Sequence, residues 1–234
     1  MPLDPSVASP HDKHAHESAG GAGVISRCHE CGSSLVSPLV CLGCTRLQPA
    51  ETHFNHFSRL GISLGFDILN SDVEMRYLVL ARGLHPDQFA QRPKPERDLA
   101  EILSAQLNDS YKTLSDPIRR GEYLLELLGG PSRDQDKRTP KAFLVEMLEL
   151  NEEIEEAQHD PARLDEIKNR IVKRLDAASF ELSPAFREAI AADASATGAD
   201  AIRKQSILLK IREILNVCAY LQSLAAQINE IKLR

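Results

Sequence analysis

Four cysteines near the start of the chain carry its clearest chemistry. Cys28 and Cys31, then Cys41 and Cys44, form two C-x2-C knuckles separated by nine residues. Each knuckle presents two neighbouring thiolates, and two knuckles together satisfy the tetrahedral, sulfur-rich preference of Zn(II). Gly32 follows the first knuckle and Gly43 lies inside the second, where tight turns favour small residues. The segment Ser33 to Val40 is expected to form a short, zinc-ribbon-like hairpin, although its spacer is shorter than in common zinc ribbons. Disulfide pairing is the competing use of the four thiols, disfavoured in a reducing compartment. Iron in a redox site is the other. A second chemical feature is His85-Pro86-Asp87, an imidazole and a carboxylate on a turn stiffened by proline. By itself the tripeptide reads equally well as a helix-ending turn.

These residues need elements to hold them, and the chain offers helices. Residues 1–26 are rich in Pro, Ser, Ala, Gly and His without hydrophobic periodicity, the pattern of a disordered tail. His11, His14 and His16 in that tail have no apolar neighbours to fix a ligand geometry. Ser71-Asp72-Val73-Glu74 has the form of a capping box, and Val73, Tyr77, Leu80, Ala81 and Leu84 then recur on one helical stripe. A second helix, from near Glu96, carries Leu99, Ile102, Leu103, Leu107, Tyr111 and Leu114 on one face and can lie antiparallel to the first. Ser115-Asp116-Pro117 breaks it, and a shorter helix runs from Ile118 to Leu128.

After a polar linker from Gly129 to Thr139, Pro140 opens a helix with the seam Phe143, Met147, Leu150 and Ile154. Leu144, Val145 and Leu148 form a second apolar row beside Glu149, Glu152 and Glu156, with no evident internal use. Pro161 begins another helix bearing Leu164, Ile167, Ile171 and Leu175, and Pro184 is expected to end it before a short Phe186–Ala192 stretch. The last helix, from about Ala199 to Lys232, has a heptad seam of Ile207, Ile211, Ile214, Cys218, Leu221, Ala225 and Ile228. Cys218 reads as a core residue of that seam. Domains are expected at 27–48 for the cysteine module, 53–130 for the first helical unit and 140–234 for a three-helix bundle. The helical units have their own cores, so metal loss is expected to unfold the module alone.

Composition narrows the function. The chain has 234 residues, 42% of them hydrophobic, with a net charge of -6, and clustered phosphate-binding basic residues are not evident. Nucleic acid is therefore not the expected partner. Aromatics are 5% with no Trp, which argues against a stacking platform. No stretch nears the ~20 apolar residues of a membrane span. The first 26 residues hold Asp4, Asp12 and Glu17 and no arginine, unlike a mitochondrial presequence. A bacterial cytoplasm is the expected location, the mitochondrial matrix the alternative. No nucleophile with a base and no phosphate loop is visible, so the chain is not expected to be an enzyme itself.

The helix, His85-Pro86-Asp87, helix arrangement resembles the J domain of DnaJ-class co-chaperones. The strings Leu107 to Leu125 (LNDSYKTLSDPIRRGEYLL) and Phe143 to Glu153 (FLVEMLELNEE) resemble the HscB branch, which serves iron–sulfur cluster assembly. The amino-terminal tetracysteine resembles that of some eukaryotic members. The resemblance implies an L-shaped all-α protein, a J domain followed by a three-helix bundle. It implies that His85, Pro86 and Asp87, with Arg76 and Arg82 of the preceding helix, engage a DnaK-class, HscA-like chaperone and stimulate its ATPase. It further implies that Leu144, Val145, Leu148, Glu149, Glu152, Glu156 and Ile207 bind an IscU-like scaffold protein. The preceding helix is less basic than is usual for the family, and Gln88 stands where a basic residue is common. Arg92, Lys94 and Arg97 lie nearby. A metal-binding or redox carrier built on the four cysteines is the alternative function.

Overall fold

The computed structural model describes residues 27–50, 53–195 and 198–233, and the tail expected over 1–26 lies outside them. Among these residues the helices are α1 (His56–Leu60), α2 (Asn70–Gly83), α3 (Pro86–Phe89), α4 (Lys94–Ser115), α5 (Pro117–Leu127), α6 (Lys141–Glu156), α7 (Pro161–Ser195) and α8 (Gly198–Lys232). No strand occurs among the described residues. The cysteine segment has two isolated antiparallel bridges, Arg27 with Ser34 and Val40 with Leu47. The fold is all-α, a J domain (α1–α5) followed by a three-helix bundle (α6–α8), with the small cysteine module in front. No helix among the described residues is long and apolar enough to cross a membrane.

α2 and α4 run antiparallel. The Tyr77 hydroxyl donates to Asn108 Oδ1 at 2.9 Å, and its ring stacks on Tyr111 with centroids 4.3 Å apart. Further along, the Ser104 hydroxyl donates to the Leu84 carbonyl at 3.1 Å. Val73, Leu80 and Leu84 are buried, as are Leu103, Leu107 and Leu114 of α4, but Ile102, which shares the periodic stripe, is exposed. The capping box at Ser71 does not form. α2 starts at Asn70 with Leu69 as its cap and no side-chain cap bond, so Ser71 already lies inside the first turn, past the position from which a hydroxyl caps. α5 is capped by Asp116, whose Oδ1 accepts from the Ile118 and Arg119 N–H groups at 2.8 and 3.0 Å. Gly129, at φ 80°, then turns the chain out of the helix.

α7 does not end at Pro184 but runs through it. Proline costs one backbone bond, yet Leu182, Ala185, Phe186 and Ala189 on both sides of it are buried. α8 lies antiparallel along α7 at both ends, with Arg203 on Glu188 and Lys204 on Asp193 at one end, and Lys168 on Asn229 and Lys232 on Asp165 at the other. Packing over that length outweighs the local break.

The J domain meets the bundle where α5 crosses α7 and α8. Gly121 allows the approach, since a Cβ there would lie 3.0 Å from Leu215 Cδ2 and 3.4 Å from the Phe66 ring. Phe66 stacks on Phe186 with centroids 5.1 Å apart. Beside this apolar contact, fully buried Arg212 of α8 donates through both terminal nitrogens to the Glu122 carboxylate of α5, and its Nε donates to Asn216 at 3.1 Å. Asn216 in turn donates to the carbonyls of Asp136 and Arg138, at 3.0 and 2.8 Å, tying down the linker. The Glu122 side chain is 36% exposed, so water meets part of its charge once the arginine is gone. Arg212→Ala should lower the unfolding free energy by about 2 kcal/mol in urea denaturation; a loss below about 0.5 kcal/mol would show that the pair is dispensable to the junction.

Candidate functional site

The two cysteine knuckles are built alike. In the first, Cys28 N–H donates to Ser33 O at 2.8 Å and Gly32 N–H to Cys28 O at 2.9 Å. In the second, Cys41 N–H donates to Arg46 O at 2.9 Å and Thr45 N–H to Cys41 O at 2.8 Å. The left-handed residue is Gly32 (φ 71°) in one and Thr45 (φ 59°) in the other. Gly43 lies in the second turn but does not take its left-handed position, and the expected hairpin over Ser33 to Val40 is replaced by two separately closed turns. The four Sγ atoms lie within 4.8 Å of one another, Cys28 3.6 Å from Cys44 and Cys31 3.7 Å from Cys41, with all four thiols free. A tetrahedral ion with ~2.3 Å metal–sulfur bonds needs sulfurs about 3.8 Å apart, so the set fits a metal.

The thiols are already biased by their surroundings. Cys28 is drawn down to about 6, first by the Cys31 backbone N–H and also by that of Glu30. The Ser33 hydroxyl lowers Cys31. At Cys44 the Arg46 N–H favours the thiolate, but desolvation and the sulfurs of Cys31, Cys28 and Cys41 prevail and push it up to about 12. Crowded sulfur charge of this kind is what a bound cation relieves. Cys218 lies apart in the α8 seam, where burial pushes its thiol up to about 11.

The His85-Pro86-Asp87 turn stands exposed between buried Leu84 and buried Phe89. His85 caps α3, with Nδ1 accepting the Asp87 N–H at 3.3 Å. The same nitrogen lies 3.5 Å from Asp87 Oδ2. Gln88 Nε2 donates to the Arg82 carbonyl at 2.6 Å and so braces the turn against the end of α2. Arg82 is exposed and Arg76 half-buried on α2. The same helix exposes Met75, Leu78 and Val79, so its outer face is apolar where two arginines alone had drawn attention.

On α6 the seam Phe143, Met147, Leu150 and Ile154 is buried. Leu144, Val145 and Leu148 are 55, 58 and 64% exposed, so they are surface and not bundle core. Among the acids of this helix, Glu146, Glu153 and Glu156 pair with Arg174, Arg170 and Arg163 of α7. Glu149 and Glu152 are exposed beside the leucines. Ile207 is only 9% exposed and belongs to the α8 seam, apart from this row.

The carboxy-terminal half, residues 139–229, matches the family model described as the HSCB C-terminal oligomerisation domain. The chain is 33% identical over 168 residues to the human iron-sulfur cluster co-chaperone protein HscB, covering 69% of this chain and 71% of the human protein. It is 28% identical over 204 residues to the mouse protein of the same name, covering 85% and 82%. The crystal structure of human co-chaperone protein HscB superposes with a TM-score of 0.70 at 28% identity, covering 89% of this chain and 99% of that one. The chain belongs to the HscB co-chaperone family. As an HscB protein it is a co-chaperone of iron–sulfur cluster assembly and not an enzyme in itself.

Several residues that shape this HscB chain escape a sequence reading. Arg212 is the plainest, because it stands between Lys210 and Glu213 in the sequence, off the heptad seam, with nothing to mark it as buried. Gln48 is another: buried, it donates to Cys28 Sγ at 3.6 Å and meets His29 Nδ1 at 3.0 Å, a brace that spacing does not announce. The cysteine geometry predicts one metal ion per chain. Native mass spectrometry before and after chelation should show its loss; two disulfides and no metal would contradict the assignment.

Proposed function

We propose that this HscB chain stimulates the ATPase of a DnaK-class, HscA-like chaperone through His85-Pro86-Asp87 while α6 holds an IscU-like scaffold protein. The bundle delivers the scaffold to the chaperone, and structural zinc holds the cysteine module. The observation that carries the reading is the exposed Leu144, Val145 and Leu148 row. An apolar patch of this kind, flanked by the acids Glu149, Glu152 and Glu156, fits a partner with an apolar centre and a basic rim. The tripeptide supports it from the other arm. Its side chains fill no core and stand exposed to a partner. Arg76 and Arg82 supply modest charge, and the apolar Met75, Leu78 and Val79 face gives the contact a less ionic character. Ile207, 9% exposed in the α8 seam, is the least accessible member of the scaffold face. A four-sulfur cage with no open ligand position fits structural zinc.

Three measurements test this. His85→Gln should leave helicity and melting unchanged and abolish stimulation of the chaperone in a steady-state ATPase assay; normal stimulation would sink the role of the tripeptide. Leu144→Ala with Leu148→Ala should melt nearly as wild type and lose ~1 to 3 kcal/mol of scaffold affinity. The same pair in a core would cost ~4 kcal/mol or more of stability, so a large fall in Tm with binding retained would place these leucines in the core. Charge reversal of Glu149 and Glu152 should mainly slow association, with a deficit that shrinks as salt rises.

A further inference from the structure

The cysteine module is seated on the J domain at the end of α2, just before the His85-Pro86-Asp87 turn, and at the start of α4, beyond α3. Leu39, Val40 and Leu47 belong to the same buried apolar cluster as Phe57, Leu60 and Leu84. Val40 packs on Gly83, the last residue of α2, so closely that a Cβ at Gly83 would lie 3.3 Å from Val40 Cγ1, with Leu42 Cδ2 at 3.8 Å. Across the turn, Arg46 of the second knuckle pairs with Glu96 in the first turn of α4 at 3.7 Å. At the end of α1 the Ser37 hydroxyl donates to the Arg59 carbonyl at 2.6 Å. There Gly61 (φ 65°) leaves room for the Val36 carbonyl, which a Cβ would approach to 2.2 Å. The module therefore spans α1, the end of α2 and the start of α4.

What holds the module in that seat is the tie between its two knuckles. Each bridge closes one knuckle on itself, Arg27 with Ser34 and Val40 with Leu47. Between the knuckles run His29 to Gln48 at 3.0 Å, Gln48 to Cys28 at 3.6 Å, Glu30 to Arg46 at 3.6 Å and the four converging sulfurs. Cys41 directly follows Val40, and Cys44 sits two residues before Arg46. Ligation of the second knuckle thus fixes Val40 against Gly83, two residues before His85, and Arg46 against Glu96 at the start of α4.

We propose that the cysteine module is a working part of the chaperone-stimulating site: Val40 and Arg46, held by the cysteine cage, are positioning residues for the His85-Pro86-Asp87 turn. Metal loading then sets how far the chain stimulates the chaperone, and leaves the scaffold face on α6 unaffected. The module acts on the backbone that carries His85, and need not touch the chaperone. The proposal rests on the tripeptide being the stimulating site, and its test separates the two.

The experiment uses the full chain, zinc-loaded and chelated, with hydrogen exchange followed by mass spectrometry alongside chaperone ATPase and scaffold binding. Chelation should raise exchange across residues 84–92 about tenfold. Maximal stimulation should fall while α6 exchange and scaffold affinity stay within about twofold; zinc should restore both. Val40→Ala keeps all four sulfurs and one zinc per chain, and should reproduce the faster exchange and lower maximal stimulation, with half-maximal concentration changed less. Unchanged exchange at 84–92 in both the chelated chain and Val40→Ala overturns the coupling, as does full stimulation by the chelated chain. Where the zinc-loaded wild type stimulates no chaperone, the tripeptide reading fails instead, and the exchange result still judges the coupling by itself.

Discussion

The Arg212 to Glu122 pair is the constraint on which the arrangement of the molecule depends. A guanidinium with no solvent exposure must have its charge met by the protein. α5 supplies that charge from the J domain, and Asn216 supplies one further partner from α8 itself. Because the partners come from both halves, the bond satisfies the arginine only when the J domain sits in one orientation on the bundle. The apolar contact of Gly121, Phe66, Phe186 and Leu215 brings the surfaces together, but apolar contact is indifferent to direction. The forked ion pair is directional, and Asn216 extends it to the linker carbonyls.

From that junction the two candidate surfaces project on separate helices. The His85-Pro86-Asp87 turn is fastened by buried Leu84 and Phe89 beneath it, by Ser104 on the Leu84 carbonyl and by Gln88 on the Arg82 carbonyl. The α6 row stands on a helix whose opposite face is sealed into the bundle. The acids of α6 divide accordingly, with Glu146 and Glu153 turned to arginines of α7 and Glu149 and Glu152 left beside the leucines. One stretch of seven acids, counted from Lys141 to Asp160, therefore does two different jobs.

Much of this was legible before any coordinates. The cysteine spacing announced a four-sulfur cage, because knuckle geometry is local and encoded in a few adjacent residues. The α6 seam and the second row beside it were readable because burial follows a 3.6-residue period along a single helix. Local reading failed where a longer-range term outweighed it. Ser71 looks like a cap but α2 begins earlier, Pro184 looks like a stop but α7 packs through it, and Gly43 looks like the turn residue but Thr45 takes the left-handed position. The spacing also gave no sign that Leu39, Val40 and Leu47 share a buried apolar cluster with Phe57, Leu60 and Leu84.

The sequence by itself determined which residue types lie close along the chain: two cysteine pairs, a helix-flanked tripeptide, and amphipathic stripes with their register. It determined the all-α class and the family, since both follow from local pattern and from strings of residues. Only the tertiary structure decided that Arg212 meets Glu122, ninety positions away in sequence, that Ile207 is buried, and that Val40 rests on Gly83. The physical reason is that these contacts join residues far apart in the chain. Their energy depends on shape and desolvation at a shared surface, which no local periodicity records.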